Sequence, residues 1–301
     1  MPKRVLVLLV GSADTKETDA YQVLQEESAI SEAKSAGVIV EIAFAPGFDQ
    51  LRVIRKRMSD TAAPPLDAVI VEPGSVTSTA LILKELKGRT GLVLLNAWSP
   101  EVDEYSRSWG AGLPFGTVST DHVQLGKIQG QQANAMLAEG GQLLCVTGPQ
   151  RSSAAIERLE GLRGSLRPDV TFYEALSGGW TEDDGARAFD SWYGLYKTRS
   201  FRVDVIAAQS DELAVGARAA AEAVANPGHR EIFRRARVLG VDACPAFGRK
   251  LVDTGRLTAS VTTPANTGEA IRALRKFWES GLPLALKAFT NPTPYPPAVE
   301  R

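Results

Sequence analysis

The chain has few of the residues that build disulfide frameworks and metal sites. Its 301 residues include two cysteines, Cys145 and Cys244, and two histidines, His122 and His229. Two cysteines do not make a disulfide framework, and a pair of small buried thiols is the simpler interpretation. The histidines lie far apart in the sequence without ligand spacing around them, so we expect no metal and no cofactor.

The sequence also lacks an excess of charge of one sign and a long apolar run. A net charge of -1 leaves no electrostatic footprint for nucleic acid, so we expect no nucleic-acid partner. No segment approaches the ~20 apolar residues that a membrane span needs. We therefore expect no direct insertion into a membrane.

The first ten residues superficially resemble a signal peptide, because basic residues precede an apolar run. That run is about six residues long, shorter than the ~7–15 residues of a typical apolar signal region. A first β-strand is therefore the better interpretation. A signal removed from the protein would place the chain in the periplasm, whereas a native start at Met1 predicts the cytoplasm.

Apolar runs alternate with segments of helical period from one end of the chain to the other. The first half has predicted strands at residues 5–10, 38–44, 68–71 and 92–95, and predicted helices at 19–35, 49–59 and 77–86. The second half has predicted strands at 143–147, 170–176, 203–208, 237–241 and 257–261, and predicted helices at 121–138, 152–166, 181–196, 211–224, 246–254 and 267–280. This alternation is typical of parallel sheets covered by helices.

The pattern restarts once, which indicates two successive α/β units at roughly residues 1–118 and 122–240. Two lobes of about five strands each fit ordinary domain sizes better than one sheet of about ten. The stretch 100–116 is rich in Gly, Ser and Pro and is predicted to be the first crossing between the lobes.

Acidic residues follow two of the predicted strands in the second half. The carboxyl ends of parallel strands face the ligand crevice of an open sheet. Ser210, Asp211 and Asp242 should therefore point into one cleft, which favours the capture of a polar small molecule. Asp211 also begins a predicted helix, where an aspartate is usually an N-cap, and both interpretations stay open.

Two tryptophans, Trp98 and Trp180, lie in loops directly after predicted strands. Such a ring either fills the interface between lobes or stacks on the C–H face of a sugar whose hydroxyls bind polar side chains. Tyr21 is a further candidate for stacking. Arg151 lies in a strand-to-helix loop, and its guanidinium donors suit hydroxyls and carboxylates.

The motifs of common enzymes are not found. The sequence has no G-x-S-x-G, H-E-x-x-H, C-x-x-C or kinase set. It also has no G-x-G-x-x-G after the first strand, and the loop at 148–153 lacks the lysine of a phosphate-binding loop. We therefore expect a protein without catalytic residues.

Five segments, 119–126, 148–161, 207–217, 238–242 and 255–261, together resemble the type I periplasmic sugar-binding proteins of the ribose-binding group. The resemblance covers nearly the whole chain in order. LacI-type repressors share this fold in their effector domains, but no helix-turn-helix segment precedes the first strand. The resemblance implies an α/β fold with two lobes, each with a parallel sheet, joined by three hinge crossings. The expected lobes are residues 1–120 plus 264–290 and residues 121–263 plus 291–301.

The resemblance also implies a set of ligand-binding residues. Asn96 stands where the family has a hydroxyl-binding Asp, Ser210 replaces an amide-bearing residue, and Thr263 replaces a Gln. The other implied positions are Tyr21 and Trp180 as aromatic groups, Asp121 at the first hinge and Asp242 as a binding aspartate. Ala97 and Ile156 replace two binding arginines, with Arg151 as the nearby substitute, so we expect a sugar other than ribose, a polyol or a less polar molecule.

The resemblance implies a non-catalytic solute-binding component of an ABC transporter, with a sugar or polyol as ligand and a permease or membrane sensor as partner. The missing export signal favours an alternative, an intracellular ligand-sensing protein without a DNA-binding domain. An α/β enzyme that acts on a sugar or nucleotide is the third alternative. We expect the protein to be a monomer.

Overall fold

The chain folds into two compact α/β units, and the computed structural model describes residues 2–11, 20–198 and 201–298. Unit 1 comprises Met1–Thr120 and Ala265–Thr290, and unit 2 comprises Asp121–Pro264 and Asn291–Arg301. The chain therefore passes between the units three times. The predicted fold class, an α/β fold with two lobes and parallel sheets, is confirmed.

Unit 1 contains a six-stranded sheet of order β11-β5-β4-β3-β1-β2, and its strands pair in parallel. The strands are β1 (Arg4–Val10), β2 (Ile39–Ala45), β3 (Ala68–Val71), β4 (Gly91–Leu95), β5 (Phe115–Thr120) and β11 (Lys287–Thr290). Its helices are α1 (Ala20–Ala36), α2 (Gln50–Ser59), α3 (Val76–Leu86), α4 (Pro100–Ser106) and α11 (Asn266–Ser280).

Strand β1 shows how the sequence specifies this sheet. Leu6 and Leu8 pack into one apolar cluster, and Val5, Val7 and Leu9 pack into another. Successive side chains of a strand point to opposite faces, so both faces of the sheet are covered. A parallel strand that is buried on both faces reads as a continuous apolar run, which is the pattern that predicted this strand.

Unit 2 contains a four-stranded parallel sheet of order β7-β6-β8-β9 and a two-stranded antiparallel sheet of β10 and β12. The strands are β6 (Gly141–Thr147), β7 (Val170–Leu176), β8 (Val205–Ala208), β9 (Arg237–Leu239), β10 (Ser260–Thr262) and β12 (Thr293–Tyr295). The helices are α5 (His122–Met136), α6 (Ser153–Ser165), α7 (Glu182–Tyr196), α8 (Asp211–Glu222), α9 (Pro227–Arg235) and α10 (Gly248–Asp253). Bridges from Leu239 to Ala259 and from Asp242 to Thr262 place the segment of β10 beside β9.

The prediction of a first crossing at residues 100–116 is wrong. This stretch lies inside unit 1, where it forms α4 and leads into β5. Pro100 occupies the start of α4, a position where the missing N–H of proline costs nothing and its fixed φ suits the helix. The proline that suggested a linker therefore begins a helix. Helix α9 and strands β5, β11 and β12 were not predicted from the sequence.

Helices of unit 2 approach each other closely at glycines. A Cβ on Gly161 of α6 would lie 2.0 Å from the carbonyl oxygen of Val123, on α5. A Cβ on Gly216 of α8 would lie 1.8 Å from the carbonyl oxygen of Glu182, on α7. These two helix pairs therefore depend on the absence of a side chain.

We expect Gly161→Ala to lower the free energy of unfolding by about 1–3 kcal/mol, because the new methyl group forces α5 and α6 apart. Gly164, on the same helix, has no atom within 4 Å of its Cβ position. Gly164→Ala is the matched control and should raise the stability by up to about 1 kcal/mol through helix propensity. Urea unfolding of both variants measures the difference, and equal effects would contradict the close approach.

The described residues contain neither a membrane-spanning helix nor a group of metal-binding side chains. None of the helices there is long and apolar enough to cross a membrane. In the same residues, no three His, Cys, Asp or Glu side chains are grouped so that they would hold a metal ion. Cys145 and Cys244 are both buried, and burial raises the pKa of the Cys145 thiol, which agrees with the interpretation as small buried thiols.

Candidate ligand-binding site

Polar side chains gather at the carboxyl edge of the unit 1 sheet, and we call this group the unit 1 polar cluster. Its members are Tyr21, Glu72, Asn96, Thr120, Asn266 and Thr290. Glu72 and Asn96 directly follow β3 and β4, and Thr120 and Thr290 are the last residues of β5 and β11. Tyr21 and Asn266 come from the first turns of α1 and α11. The sheet order brings these strand ends together, as the rule for parallel sheets predicts.

Asn96 is the centre of the unit 1 polar cluster. Its backbone has φ of 49°, in the left-handed region that asparagine tolerates better than most residues. Its Nδ2 donates to Glu72 Oε1 at 2.8 Å and to the Tyr21 hydroxyl at 3.2 Å. Its Oδ1 accepts from Asn266 Nδ2 at 2.7 Å and from the Thr120 amide at 3.3 Å. The predicted residues Tyr21 and Asn96 are therefore in direct contact.

Glu72 is the acidic member of this cluster, and it is not among the site residues predicted from the sequence. Its Oε2 accepts from Gln22 Nε2 at 2.8 Å, so two amide groups hold the carboxylate in place. Glu72 directly follows β3. The rule that selected Asp242, a polar residue after a buried strand, applies equally to Glu72 and would have found it.

Arg158 is the centre of a second group, in unit 2, which we call the unit 2 polar cluster. Its members are His122, Arg158, Trp180, Asp242 and Thr263. Arg158 is 6% exposed and lies on α6. Its Nε donates to His122 Nδ1 at 3.3 Å, and its Nη1 donates to the carbonyl oxygen of Gln209. Its Nη2 lies 3.6 Å from Asp242 Oδ1.

The carboxylate of Asp242 is buried beside this guanidinium, with 7% of the residue exposed. Burial raises the pKa of Asp242, although the charge of Arg158 and the nearby Thr263 hydroxyl lower it. Among the residues that the structure describes, neither Asp242 Oδ1 nor Thr263 Oγ1 makes a hydrogen bond of ordinary geometry. A buried carboxylate that lacks donors costs free energy, so this pair is suited to ligand hydroxyls.

The backbone at Asp242 is also unusual. Its φ is 99° and that of Ala243 is 42°, which is uncommon for residues other than glycine. Hydrogen bonds from the Asp242 amide to Val261 O at 2.8 Å and from the Thr263 amide to Asp242 O at 3.1 Å hold this turn. Strained backbone of this kind occurs where the surroundings over-determine a conformation, commonly at ligand sites.

The aromatic member of this cluster is Trp180. The guanidinium carbon of Arg158 lies 5.4 Å from the centroid of its ring, a cation–π distance. A Cβ on Gly148 would lie 2.2 Å from the ring, so the glycine makes room for it. The predicted site residue Trp180 thus lies against Arg158, which is not among the site residues predicted from the sequence.

His122 is fully buried, and burial followed by the charge of Arg158 keeps its pKa well below the usual range. The ring is therefore neutral. Because Arg158 Nε donates to Nδ1, the ring proton is assigned to Nε2. Within the described part of the chain, Nε2 has no hydrogen-bond partner, which makes it a buried donor next to Arg158.

The remaining predicted residues lie outside these two clusters. Trp98 packs against the core of unit 1, with Lys287 Nζ 3.6 Å from its ring centroid. Asp121 and Ser210 are N-caps, accepting from the amides of Gln124 at 2.8 Å and Leu213 at 3.1 Å. Arg151 is exposed in the loop after β6.

Asp211 joins three parts of unit 2. Its Oδ1 accepts from Ser260 Oγ at 2.7 Å, and its Oδ2 accepts from the Ala243 amide at 2.8 Å. Its carboxylate oxygens lie 2.0 Å and 1.8 Å from the Cβ positions of Gly240 and Gly248. The N-cap of α8 is thus Ser210 and not Asp211, as the N-cap interpretation had it, and Asp211 ties α8 to the Asp242 turn and β10.

Burial, and then the charge of Asp242, raise the pKa of Asp211 well above its usual value. The folded state therefore holds its proton to a higher pH than the unfolded chain, so this contribution to stability is complete below about pH 4 and falls as pH rises, by up to about 1.4 kcal/mol per pH unit. We expect Asp211→Asn to remove this dependence. In urea unfolding from pH 4 to 7, the free energy of unfolding of the variant should increase relative to that of the parent protein as pH rises. A pH-independent difference between the two would contradict the expectation.

Comparison with known proteins agrees with this architecture. A family model described as periplasmic binding protein domain matches residues 12–274. No curated protein sequence gives a significant match.

Solved structures with the same fold cover nearly the whole chain. An ABC transporter periplasmic solute-binding protein from Actinobacillus succinogenes with bound D-allose has a TM-score of 0.77 at 17% identity, covering 97% of this chain and 96% of its own. A solute-binding protein from Bacillus halodurans with bound myo-inositol has a TM-score of 0.74 at 19% identity, covering 97% and 94%. The fructose-binding periplasmic domain of a hybrid two-component system has a TM-score of 0.78 at 20% identity, covering 97% and 90%. At these identities the likeness shows the fold.

Proposed function

Because the chain belongs to the periplasmic binding protein domain family, we propose that it binds a sugar or sugar-like polyol without changing it, as the solute-binding component of an ABC transporter. Each polar cluster, taken by itself, is a candidate for contact with a ligand. Two solved structures of the same fold are, by their descriptions, ABC transporter solute-binding proteins that hold D-allose and myo-inositol.

The observation that carries the proposal is the buried Asp242 beside Arg158 and Trp180. Asp242 offers acceptors, and Arg158 and His122 offer donors, within one group. Trp180 adds an aromatic ring of the kind that stacks on the C–H face of a sugar. This combination of a ring with donors and acceptors suits a compact molecule with many hydroxyls.

The charges of the two clusters favour a neutral ligand. Glu72 and Asp242 are acidic, and the guanidinium of Arg158 is already shared with Asp242 and Gln209. Among the residues that the structure describes, neither cluster has a surplus of positive charge, and phosphate sites generally need one. We therefore expect a sugar to bind and its phosphate ester to bind much more weakly.

The test is isothermal calorimetry with D-allose, myo-inositol, fructose, ribose and further pentoses, hexoses and polyols. We expect micromolar or tighter binding of at least one compound. Fructose 6-phosphate and ribose 5-phosphate are the charged controls. Recovery of the bound compound unchanged after long incubation supports a binding protein, whereas its conversion would favour an enzyme. If none of the uncharged compounds in the panel binds, the proposal is refuted.

A sensor-linked role is the second candidate. The observation that favours it is the fold likeness to the periplasmic domain of a hybrid two-component system. Affinity purification of the tagged native protein from its membrane fraction separates the two roles. Capture of a permease supports transport, and capture of a histidine kinase supports sensing.

A further inference from the structure

All three crossings of the chain contribute side chains to one hydrogen-bond network in unit 1. Thr120 is the last residue before the first crossing, and Thr290 is the last before the third. Asn266 is the second residue after the second crossing and is 0% exposed. These three residues are far apart in the sequence, so their meeting is a property of the fold.

The network contains a relay of three short hydrogen bonds. Thr290 Oγ1 donates to Asn266 Oδ1 at 2.7 Å, and Asn266 Nδ2 donates to Asn96 Oδ1 at 2.7 Å. Asn96 Nδ2 then donates to Glu72 Oε1 at 2.8 Å. Both carboxylate oxygens of Glu72 accept hydrogen bonds from amide groups, so Glu72 sets the direction of the whole relay and the orientation of the Asn96 and Asn266 amides.

Thr120 is tied to the same relay at the first crossing. Its Oγ1 lies 3.3 Å from Thr290 Oγ1 and accepts from Asn266 Nδ2 at 3.4 Å. Its amide donates to Asn96 Oδ1 at 3.3 Å. Asn266 is therefore the residue through which the strand ends at the crossings reach Asn96 and Glu72.

We propose that Asn266 is a positioning residue that orients Asn96 and Glu72 for the ligand and links them to the three crossings. This inference rests on the proposed function, in which the ligand contacts the unit 1 polar cluster. Buried polar networks specify one arrangement when every member is satisfied, and a single reversed group disturbs the whole network. The link therefore gives ligand binding a physical route to the crossings.

Because the relay has a fixed direction, a second substitution at Glu72 should restore stability that a substitution at Asn266 removes. Asn266→Asp replaces a donor with an acceptor, so Asn96 Oδ1 faces a second carboxylate, and flipping the amide only transfers the conflict to Glu72. Glu72→Gln supplies a donor that resolves this conflict, because the Nε2 of the introduced amide then donates to Oδ1 of the flipped Asn96. The flip gives up only the longer bond from the Thr120 amide, at 3.3 Å. The same change in the parent protein gives the reference effect of Glu72→Gln when the relay is intact.

Thermal unfolding of the full chain, without any sugar, tests the rescue. We expect Glu72→Gln to raise the midpoint of the Asn266→Asp variant by about 2–4 °C, the effect of one restored hydrogen bond in a unit of this size. Thr267→Val is the matched background, because Thr267 Oγ1 donates to Gln25 O at 2.6 Å, outside the relay. In the Thr267→Val variant, Glu72→Gln should not raise the midpoint of thermal unfolding. Absence of a rescue, or an equal gain in both backgrounds, overturns the proposal.

Hydrogen exchange tests the link to the crossings. In Asn266→Ala, we expect at least threefold faster exchange in the peptides that contain residues 96, 120 and 290. In Thr267→Val, faster exchange should stay within the starts of α1 and α11. The same exchange pattern in both variants overturns the proposal. Both measurements are made without ligand. If no sugar binds, the proposed function is refuted, but the role of Asn266 in the relay can still be tested.

Discussion

Asp242→Ala is expected to abolish sugar binding, which means a loss of affinity of about 100-fold or more. Hydrogen bonds to a charged group are worth about 1.5–3 kcal/mol each, and a carboxylate accepts two or more from a sugar. The variant also leaves Arg158 without its acidic neighbour. Calorimetry with the panel compound that binds the parent protein measures the loss.

Asp169→Ala is the matched control for this experiment. Asp169 is an exposed aspartate of the same unit, and its ion pair with Arg167 lies on the surface. Its removal should leave the affinity unchanged within about twofold, since surface ion pairs contribute little. Full retention of binding by a folded Asp242→Ala protein would contradict the assignment of the site.

Arg158→Met is expected to cost about 3–5 kcal/mol of stability at pH 7, because it leaves the buried Asp242 carboxylate without a compensating charge. Arg158 lowers the pKa of Asp242, so its removal raises that pKa further. The folded state of the variant then takes up a proton more readily than the unfolded chain. The difference in free energy of unfolding between the parent protein and the variant should therefore be smallest near pH 4 and grow as pH rises.

The double variant Arg158→Met with Asp242→Asn separates charge from packing. An amide removes the uncompensated charge, so the double variant should be more stable than Arg158→Met alone at pH 7. The difference should shrink toward pH 4, where Asp242 is protonated. Urea unfolding gives both values, and equal stabilities of the two variants at pH 7 would indicate that Arg158 acts through packing alone.

Sequence patterns predicted the fold well because each depends on local periodicity. The continuous apolar run of β1 and the helical period of α7 specify elements that pack on both faces of a sheet. Elements with only two adjacent apolar residues gave no comparable signal; examples are α9, with Ile232 and Phe233, and β11, with Ala288 and Phe289. Pro100 misled the prediction of the first crossing, since the same residue suits both a linker and a helix start.

The candidate site was partly foreseen. Tyr21 and Asn96 do meet in unit 1, and Trp180, Asp242 and Thr263 belong to one cluster in unit 2. Whether a ligand contacts them stays a prediction for the sugar panel.

Arg158 shows why the rest was missed. The resemblance directed attention to Ile156, which is 55% exposed, and to Arg151. Arg158 lies two residues further along α6, where the helical turn carries its side chain inward to His122 and Asp242. A position in a sequence does not show which face of a helix is buried until the partner elements are known.

The sequence by itself determined the alternation of strands and helices, and with it the edge of each sheet at which polar side chains collect, because both follow from local periodicity and the direction of parallel strands. Only the tertiary structure decided the structural role of each acidic residue at that edge. Asp211 and Asp242 each follow a buried strand, yet Asp211 binds Ser260 and Ala243, while Asp242 lies beside Arg158. The difference arises from partners distant in the chain, and only folding brings those together.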